Sequence, residues 1–302
     1  MMKKLLSLIL ALAMSLSLVA CGGGNDDADA GADGGEEKKD YASMTLDELK
    51  AEIQTVTDGT LTLATSPDFA PYEFYTLDDA GNATLAGFDL ALAQYIADYI
   101  GLKLEIIPMD FDGTILELAA KNVDLGMAGY SPDPERADKM DFSDIYYTGG
   151  QSFVCVQSNK DLFPTLADAN NPDFQIGAQI GSIQVDLAEA NTPDADIVQL
   201  TKVTDIVAEL LSGKLDGAFI ETAVAESYAK NYPDLCVLHG VPYDQEGSVV
   251  GVSKGNEPLL LAVNMAIQAA LADGSMDKFV ADANEAASGA TAILVDGEIV
   301  AD

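Results

Sequence analysis

Tryptophan is absent from this chain, histidine occurs once (His239) and arginine once (Arg136), among 302 residues with 50 acidic and 15 basic side chains. Each scarcity excludes something. A formal charge of −35 repels phosphate backbones, so nucleic acid is not an expected partner. One histidine and three cysteines, Cys21, Cys155 and Cys236, are a poor set for a zinc or iron–sulfur centre, and neither metal nor cofactor is expected. Beyond the first twenty residues no run approaches the ~20 apolar residues needed to span a bilayer as a helix. The acidity favours solubility outside the cell and does not bear on the fold. Because all other cations are lysines, Arg136 stands out. Its planar fork can grip a carboxylate through two parallel hydrogen bonds, which an ammonium cannot do. The plainer alternative is a surface residue at a helix start, paired with Glu135 or Asp138.

What is present begins with a secretory pattern. Lys3 and Lys4 precede an apolar run from Leu5 to Ala20, which reads as a signal segment over 1–20 and not as a helix of the mature protein. The stretch Leu18-Val19-Ala20-Cys21, followed by three glycines, resembles the lipobox of bacterial lipoproteins, so Cys21 is the expected lipidation site. Several acyl chains there would anchor the protein to the membrane, with no other membrane contact. Residues 21–44 are rich in Gly, Ala and Asp and read as a flexible acidic linker, too poor in apolar surface to offset the entropy of ordering. Roughly 260 residues follow, enough for one large core or two smaller ones.

From Thr45 the pattern is globular. Thr45–Val56 predicts an amphipathic helix, Thr60–Ala64 a strand, GFDLALAQYIADYIG a helix stopping at Gly101, and LKLEIIPM a strand. Asp78 to Asn82 is turn chemistry between two extended runs. Strand and helix then alternate, which predicts parallel sheets covered by helices. One passage recurs: ELAAKNVDLGMA, Glu117–Ala128, aligns without gaps on ELLSGKLDGAFI, Glu209–Ile220. Either this is a common α/β unit met twice or the chain holds two lobes of similar build. In open α/β sheets ligands bind beyond the carboxyl ends of the strands. There the two passages present Gly129-Tyr130-Ser131, leading to Arg136, and Glu221-Thr222. A cation and an anion facing one another would match a zwitterion.

The segments TSPDFAPYEF, GFDLALA, PMDFDG, DLGMAGYSPDPER, IGAQIGSIQVDLAEA, KLDGAFIE and KGNEPLL together resemble the extracellular solute-binding proteins of family 3, the amino-acid receptors of ABC importers. The likeness runs from about Thr60 to Phe279. It implies an α/β, two-lobed periplasmic-binding-protein-like fold of type II, with two hinge strands near Thr148–Gly150 and Asp244–Gly247. The implied lobes are 45–148 plus 246–302 for the first and 149–245 for the second. Arg136 would bind the ligand α-carboxylate, helped by Ser131 and by backbone groups at Gly129 and Ser182. Glu221 would take the α-ammonium, its partner lying on the ligand and not on the protein. Phe69 and Phe111 would stack on the ligand side chain, with Tyr72 beneath them, and Ser66, Gln179, Ile183 and Tyr130 would complete the contacts. Asp89, Asp141 and Asp144 read as caps or turn residues.

Where relatives that bind basic amino acids or glutamine place an aspartate in the first loop, this chain has Ser66, and Gln179 offers an acidic ligand no charge. The expected ligand is therefore a neutral amino acid. The expected role is an extracytoplasmic, lipid-anchored receptor that delivers it to the transmembrane subunits of an ABC permease. A two-lobed dehydratase-like enzyme acting on a small carboxylate is the alternative. It would need a positioned acid or base, and neither a histidine nor a Cys-His pair falls in a matched motif, so no catalytic residue is assigned. A membrane receptor's sensor lobe is disfavoured, since no membrane span or output domain follows. The ending ATAILVDGEIVAD reads as a hairpin without an assigned role.

Overall fold

The computed structural model describes residues 39–78, 80–244, 247–288, 293–295 and 298–300, the last two segments through their backbone only. The expected signal segment, Cys21 and most of the linker lie outside the described residues. A 3-10 turn at Tyr41–Ser43 lies slightly before the predicted boundary of the globular part. Helix α1 (Leu46–Glu52) follows under a capping box, in which Thr45 and Glu48 satisfy one another's backbone N–H. It is shorter than predicted because the backbone is already extended at Ile53.

Strand β1 (Thr60–Thr65) leads to a small antiparallel sheet of β2 (Asp68–Phe69), β3 (Glu73–Leu77) and β4 (Ala83–Ala86). Helix α2 (Phe88–Ile100), β5 (Lys103–Pro108), α3 (Phe111–Ala119), β6 (Leu125–Gly126) and β7 (Met140–Tyr147) complete the first crossing of the chain. A second set follows: β8 (Gln151–Val156), β9 (Gln175–Gln179), α4 (Ile183–Asn191), β10 (Asp196–Leu200), α5 (Val203–Leu211), β11 (Gly217–Glu221), α6 (Thr222–Asn231) and β12 (Leu235–Val241). The chain then returns through β13 (Ser248–Ser253), α7 (Glu257–Ala272) and α8 (Ser275–Ala287). The predicted terminal hairpin is present as β14 (Ile293–Val295) and β15 (Glu298–Val300), paired antiparallel.

Two five-stranded sheets result, ordered β5-β1-β6-β13-β7 and β10-β9-β11-β8-β12. They correct one expectation. The sheets are mixed: β1 runs parallel to β5 and β6, but β13 is antiparallel to β6 and β7, and β8 is antiparallel to β11 and β12. The reversed strands are the ones that carry the chain between sheets, through 148–150 on the way out and 242–247 on the way back. A crossover helix returns the chain to its own sheet in parallel, whereas β8 and β13 each enter their sheet directly from the other one. The core packs Leu61, Leu63, Phe88, Leu92 and Ile96 against α7, whose Leu259, Val263 and Ile267 are fully buried. In the second sheet Phe153 meets Phe163 and Phe219 edge-on.

The sequence echo is a structural one. Asp124 accepts the N–H of Thr62 at 2.8 Å, and its counterpart Asp216 accepts the N–H of Gln175 at 2.9 Å, so each aspartate ties the entry of one strand to its neighbour. The turn before each is left-handed, at Lys121 (φ 59°) and at Gly213 (φ 74°). Only the second position carries the residue that adopts this conformation without strain. Lys121→Gly is expected to raise stability by about 1 kcal/mol and Gly213→Ala to lower it by a similar amount, read from denaturant midpoints.

Candidate functional site

Four loops meet where the carboxyl ends of β1, β6, β9 and β11 face one another. Arg136 reaches Gly181, Gln179 reaches Asp68, and Glu221 takes the hydroxyl of Tyr72, so these strand-end segments meet as expected in open sheets.

Arg136 ends a 3-10 turn, Pro134–Arg136, started by Asp133, whose side chain accepts the N–H of Glu135. Arg136 is 6 % exposed, which removes the surface-residue alternative. Its Nε lies 3.4 Å from Asp133 Oδ2, its Nη2 donates to the carbonyl of Gly181 at 3.0 Å, and it sits 5.8 Å from the centre of the Phe111 ring. The Gly181 contact crosses from the first sheet's loops to the second's. Phe111 packs edge-on against Tyr130. Tyr130 itself is fully buried and donates its hydroxyl to Thr114, so the structure places it in the core beneath Phe111 and corrects its assignment as a ligand contact.

Glu221 closes β11 and is the N-cap of α6. Its Oε2 accepts the N–H of Val224 at 2.9 Å and its Oε1 that of Gly150 at 3.2 Å, with the Tyr72 hydroxyl a further donor. The expectation that its partner lies on the ligand alone is corrected: the carboxylate holds a helix end and the outgoing crossing as well. Burial pushes its pKa up to about 7 in spite of these donors. Tyr72 is fully buried among Phe69, Phe88 and Tyr147, a support, as expected.

The sequence reading passed over Asp68. Two residues beyond Ser66, it is buried, and its pKa is raised to about 6, chiefly by that burial. Its Oδ1 accepts from the Ser66 hydroxyl at 2.8 Å. Its Oδ2 reaches the other lobe, accepting the N–H of Val203 at the start of α5 at 2.6 Å and the amide of Gln179 at 3.2 Å. Its carbonyl takes the Tyr228 hydroxyl at 3.0 Å. The available signal was an acid inside TSPDFAPYEF, one residue before the aromatic chosen as a contact.

The remaining candidates are nearby but partly committed. Gln179 also donates to Thr201 O, and the Ser182 hydroxyl and N–H both turn back to Gln179 O. The N–H of Gly129 goes to Asp89 Oδ2 at 3.2 Å. The backbone donors expected from Ser182 and Gly129 are therefore engaged by the protein in this arrangement. Gly129 has φ 58°, and a Cβ there would lie 2.7 Å from Phe69 Cε1, so the residue lets the first aromatic lie against the loop. Phe69, Phe111 and Ile183 are each 7 % exposed, and Ser66 and Ser131 are buried. Asp89 is no cap: fully buried, it accepts from Tyr146 as well as Gly129. No group of three or more His, Cys, Asp or Glu among the described residues could hold a metal ion.

Residues 61–282 match the model of the bacterial extracellular solute-binding proteins, family 3. The chain belongs to this family. It is 31 % identical to the arginine-binding extracellular protein ArtP of Bacillus subtilis over 92 % of this chain and 96 % of ArtP. A solved amino-acid ABC transporter substrate-binding protein, AbpA of Streptococcus pneumoniae bound to L-arginine, superposes with a TM-score of 0.72 at 33 % identity, over 76 % of this chain and 96 % of that one. A cyclohexadienyl dehydratase of Pseudomonas aeruginosa is 27 % identical over 66 % of this chain and 73 % of its own length. The fold is thus the two-lobed amino-acid-binding fold, and the family places the chain outside the cytoplasm.

The raised acids predict a pH dependence of stability. Glu221 and Asp68 hold protons in the folded state that they release when unfolded, so the stability they carry is complete below about pH 4 and lost as pH rises through 6 to 7. In amino-acid-free buffer the melting temperature should fall between pH 5 and pH 8, and Glu221→Gln should flatten that slope. A slope unchanged by the substitution would show that Glu221 ionises normally.

Proposed function

We propose that the chain is a lipid-anchored receptor, tethered at Cys21 through residues 21–44, that encloses a basic amino acid between its lobes and presents it to an ABC permease. The lobes in this reading are 45–148 plus 246–302 and 149–245. The observation that carries the ligand class is charge. A zwitterion needs one cation and one anion from the protein, and Arg136 and Glu221 are that pair. Asp68 is a second buried carboxylate in the same cleft, opposed only weakly by Lys202. A ligand with a cationic side chain balances it, and Phe69 and Phe111 offer faces on which a planar guanidinium can stack. The arginine bound by AbpA and named for ArtP is in keeping with this. The neutral ligand expected from Ser66 and Gln179 remains the second reading, because Asp68 already has donors in Ser66, Val203 and Gln179.

Calorimetry against arginine, lysine, glutamine and alanine decides between them. Arginine or lysine should bind tightest, and Asp68→Asn should cost that preference tenfold or more while sparing neutral amino acids. Tightest binding to glutamine or alanine, unaffected by Asp68→Asn, would return the neutral reading. Arg136→Lys should weaken every amino acid by about 2 to 5 kcal/mol, thirty-fold or more, because a point charge cannot replace the fork. Below pH 7 binding should also release a proton and weaken, since the ligand ammonium requires Glu221 ionised. Cys21→Ser should free the protein from the membrane fraction. One observation favours the enzyme alternative: Glu221 is a buried acid poised near neutrality, as proton donors are. Conversion of a bound carboxylic acid, abolished in Glu221→Gln, would establish it.

A further inference from the structure

Beyond Cys21 the chain has two cysteines, and the second sheet sets them against each other. Cys155 of β8 pairs with Cys236 of β12 in the antiparallel register Leu235–Val156, Cys236–Cys155, Val237–Val154. Directly opposed residues point to the same face with Cα atoms roughly 4.5 to 5.5 Å apart. That falls within the roughly 4.4 to 6.8 Å over which disulfides form. The ladder shifts register between Val237 and His239, immediately past Cys236, and such irregularities bend and twist a strand, leaving it room to adjust. Both thiols belong to the apolar cluster around Phe153, Phe163 and Phe219, and both are reduced in the structure. Cys155 is buried and Cys236 half-buried, so only the second is open to a reagent.

We propose that Cys155 and Cys236 form a disulfide site, oxidised outside the cytoplasm by a small-molecule disulfide, that joins the strand by which the chain enters the second sheet to the strand by which it leaves. The compartment of this family permits the bond. The chemistry proceeds by exchange. The Cys236 thiolate attacks one sulfur of R–S–S–R, forming a mixed disulfide and expelling R–S⁻, which takes up a proton. Cys155 then gives up its proton and attacks Cys236 Sγ, and the second R–S⁻ leaves as R–SH. The protein loses two hydrogens and the reagent gains them. Burial pushes the Cys155 thiol up to about 11, with Cys236 nearby adding to it, which suits Cys155 to the second, intramolecular step and not to the first. The bond closes a loop containing β9 to β11 and α4 to α6, so it restricts the unfolded second lobe.

The test uses the full chain, purified, reduced and then exposed to oxidised glutathione. Peptide mapping should find Cys155 and Cys236 joined, both lost to alkylation together, and the melting temperature roughly 5 to 10 °C above that of the reduced protein. Cys155→Ala should instead retain glutathione on Cys236, and Cys236→Ala should show no change on exposure. If Cys155→Ala does not fold, mapping of the unsubstituted chain still decides. Glutathione remaining on Cys236 of the unsubstituted protein, or both thiols still open to alkylation after an exposure that oxidises the urea-unfolded chain, overturns the proposal.

Discussion

A carboxylate is buried at least cost where donors replace the water it loses, and Asp89 draws its donors from two separate elements. It is fully buried in the first turn of α2 and accepts the Tyr146 hydroxyl from β7 and the N–H of Gly129 from the loop after β6. Glu73 lies against it, also fully buried, its pKa raised well above the ordinary value by burial and then by the charge of Asp89. Burial beside Asp89 favours the protonated form of Glu73. Three elements are thereby tied to the loop that runs on to Ser131 and Arg136. The arginine's position rests on this network as much as on its own contacts.

The same demand shapes the contact between lobes. Asp68 finds its donor at the N-terminus of α5 in the opposite lobe, and Arg136 finds its acceptor at Gly181 there. These bonds are polar and few. Helix N-termini suit carboxylates because their first N–H groups lack partners within the helix and the helix dipole favours a negative charge there. Glu221 uses that feature within its own lobe, at α6, and Asp68 uses it across the gap. In this arrangement the second lobe therefore supplies part of the solvation of Asp68 and an acceptor for Arg136.

Much of this was legible in the sequence, and the reasons differ by element. Helix α2 and strand β5 follow from periodicity, since each turns one face toward the core, while β1 follows from a short apolar run buried on both faces. The echo between Glu117–Ala128 and Glu209–Ile220 was legible as spacing, although its content, an aspartate returning to the entry of a neighbouring strand, needed coordinates. Mixed pairing was not legible, because strand direction depends on where the chain crosses between sheets and not on any residue within the strand. Tyr130 and Asp68 were misjudged for one reason. Adjacency to a recognised motif says that a side chain is near the site, and only the backbone says whether it turns toward the core or the cleft.

Charge then links fold to ligand. Among the described residues Arg136 pairs with Asp133, while Asp68 and Glu221 rely on uncharged backbone, hydroxyl and amide donors. Dipoles of that kind lessen the cost of a buried anion without cancelling its charge, which is why both acids sit above their ordinary pKa values. Protonation can relieve them one at a time, but a bound cation relieves them without consuming a proton. On the reading proposed above, a ligand that brings an ammonium to Glu221 and a second cation toward Asp68 would complete the set of charges that the two lobes hold between them, and closure would be favoured most by the ligand whose charges fit.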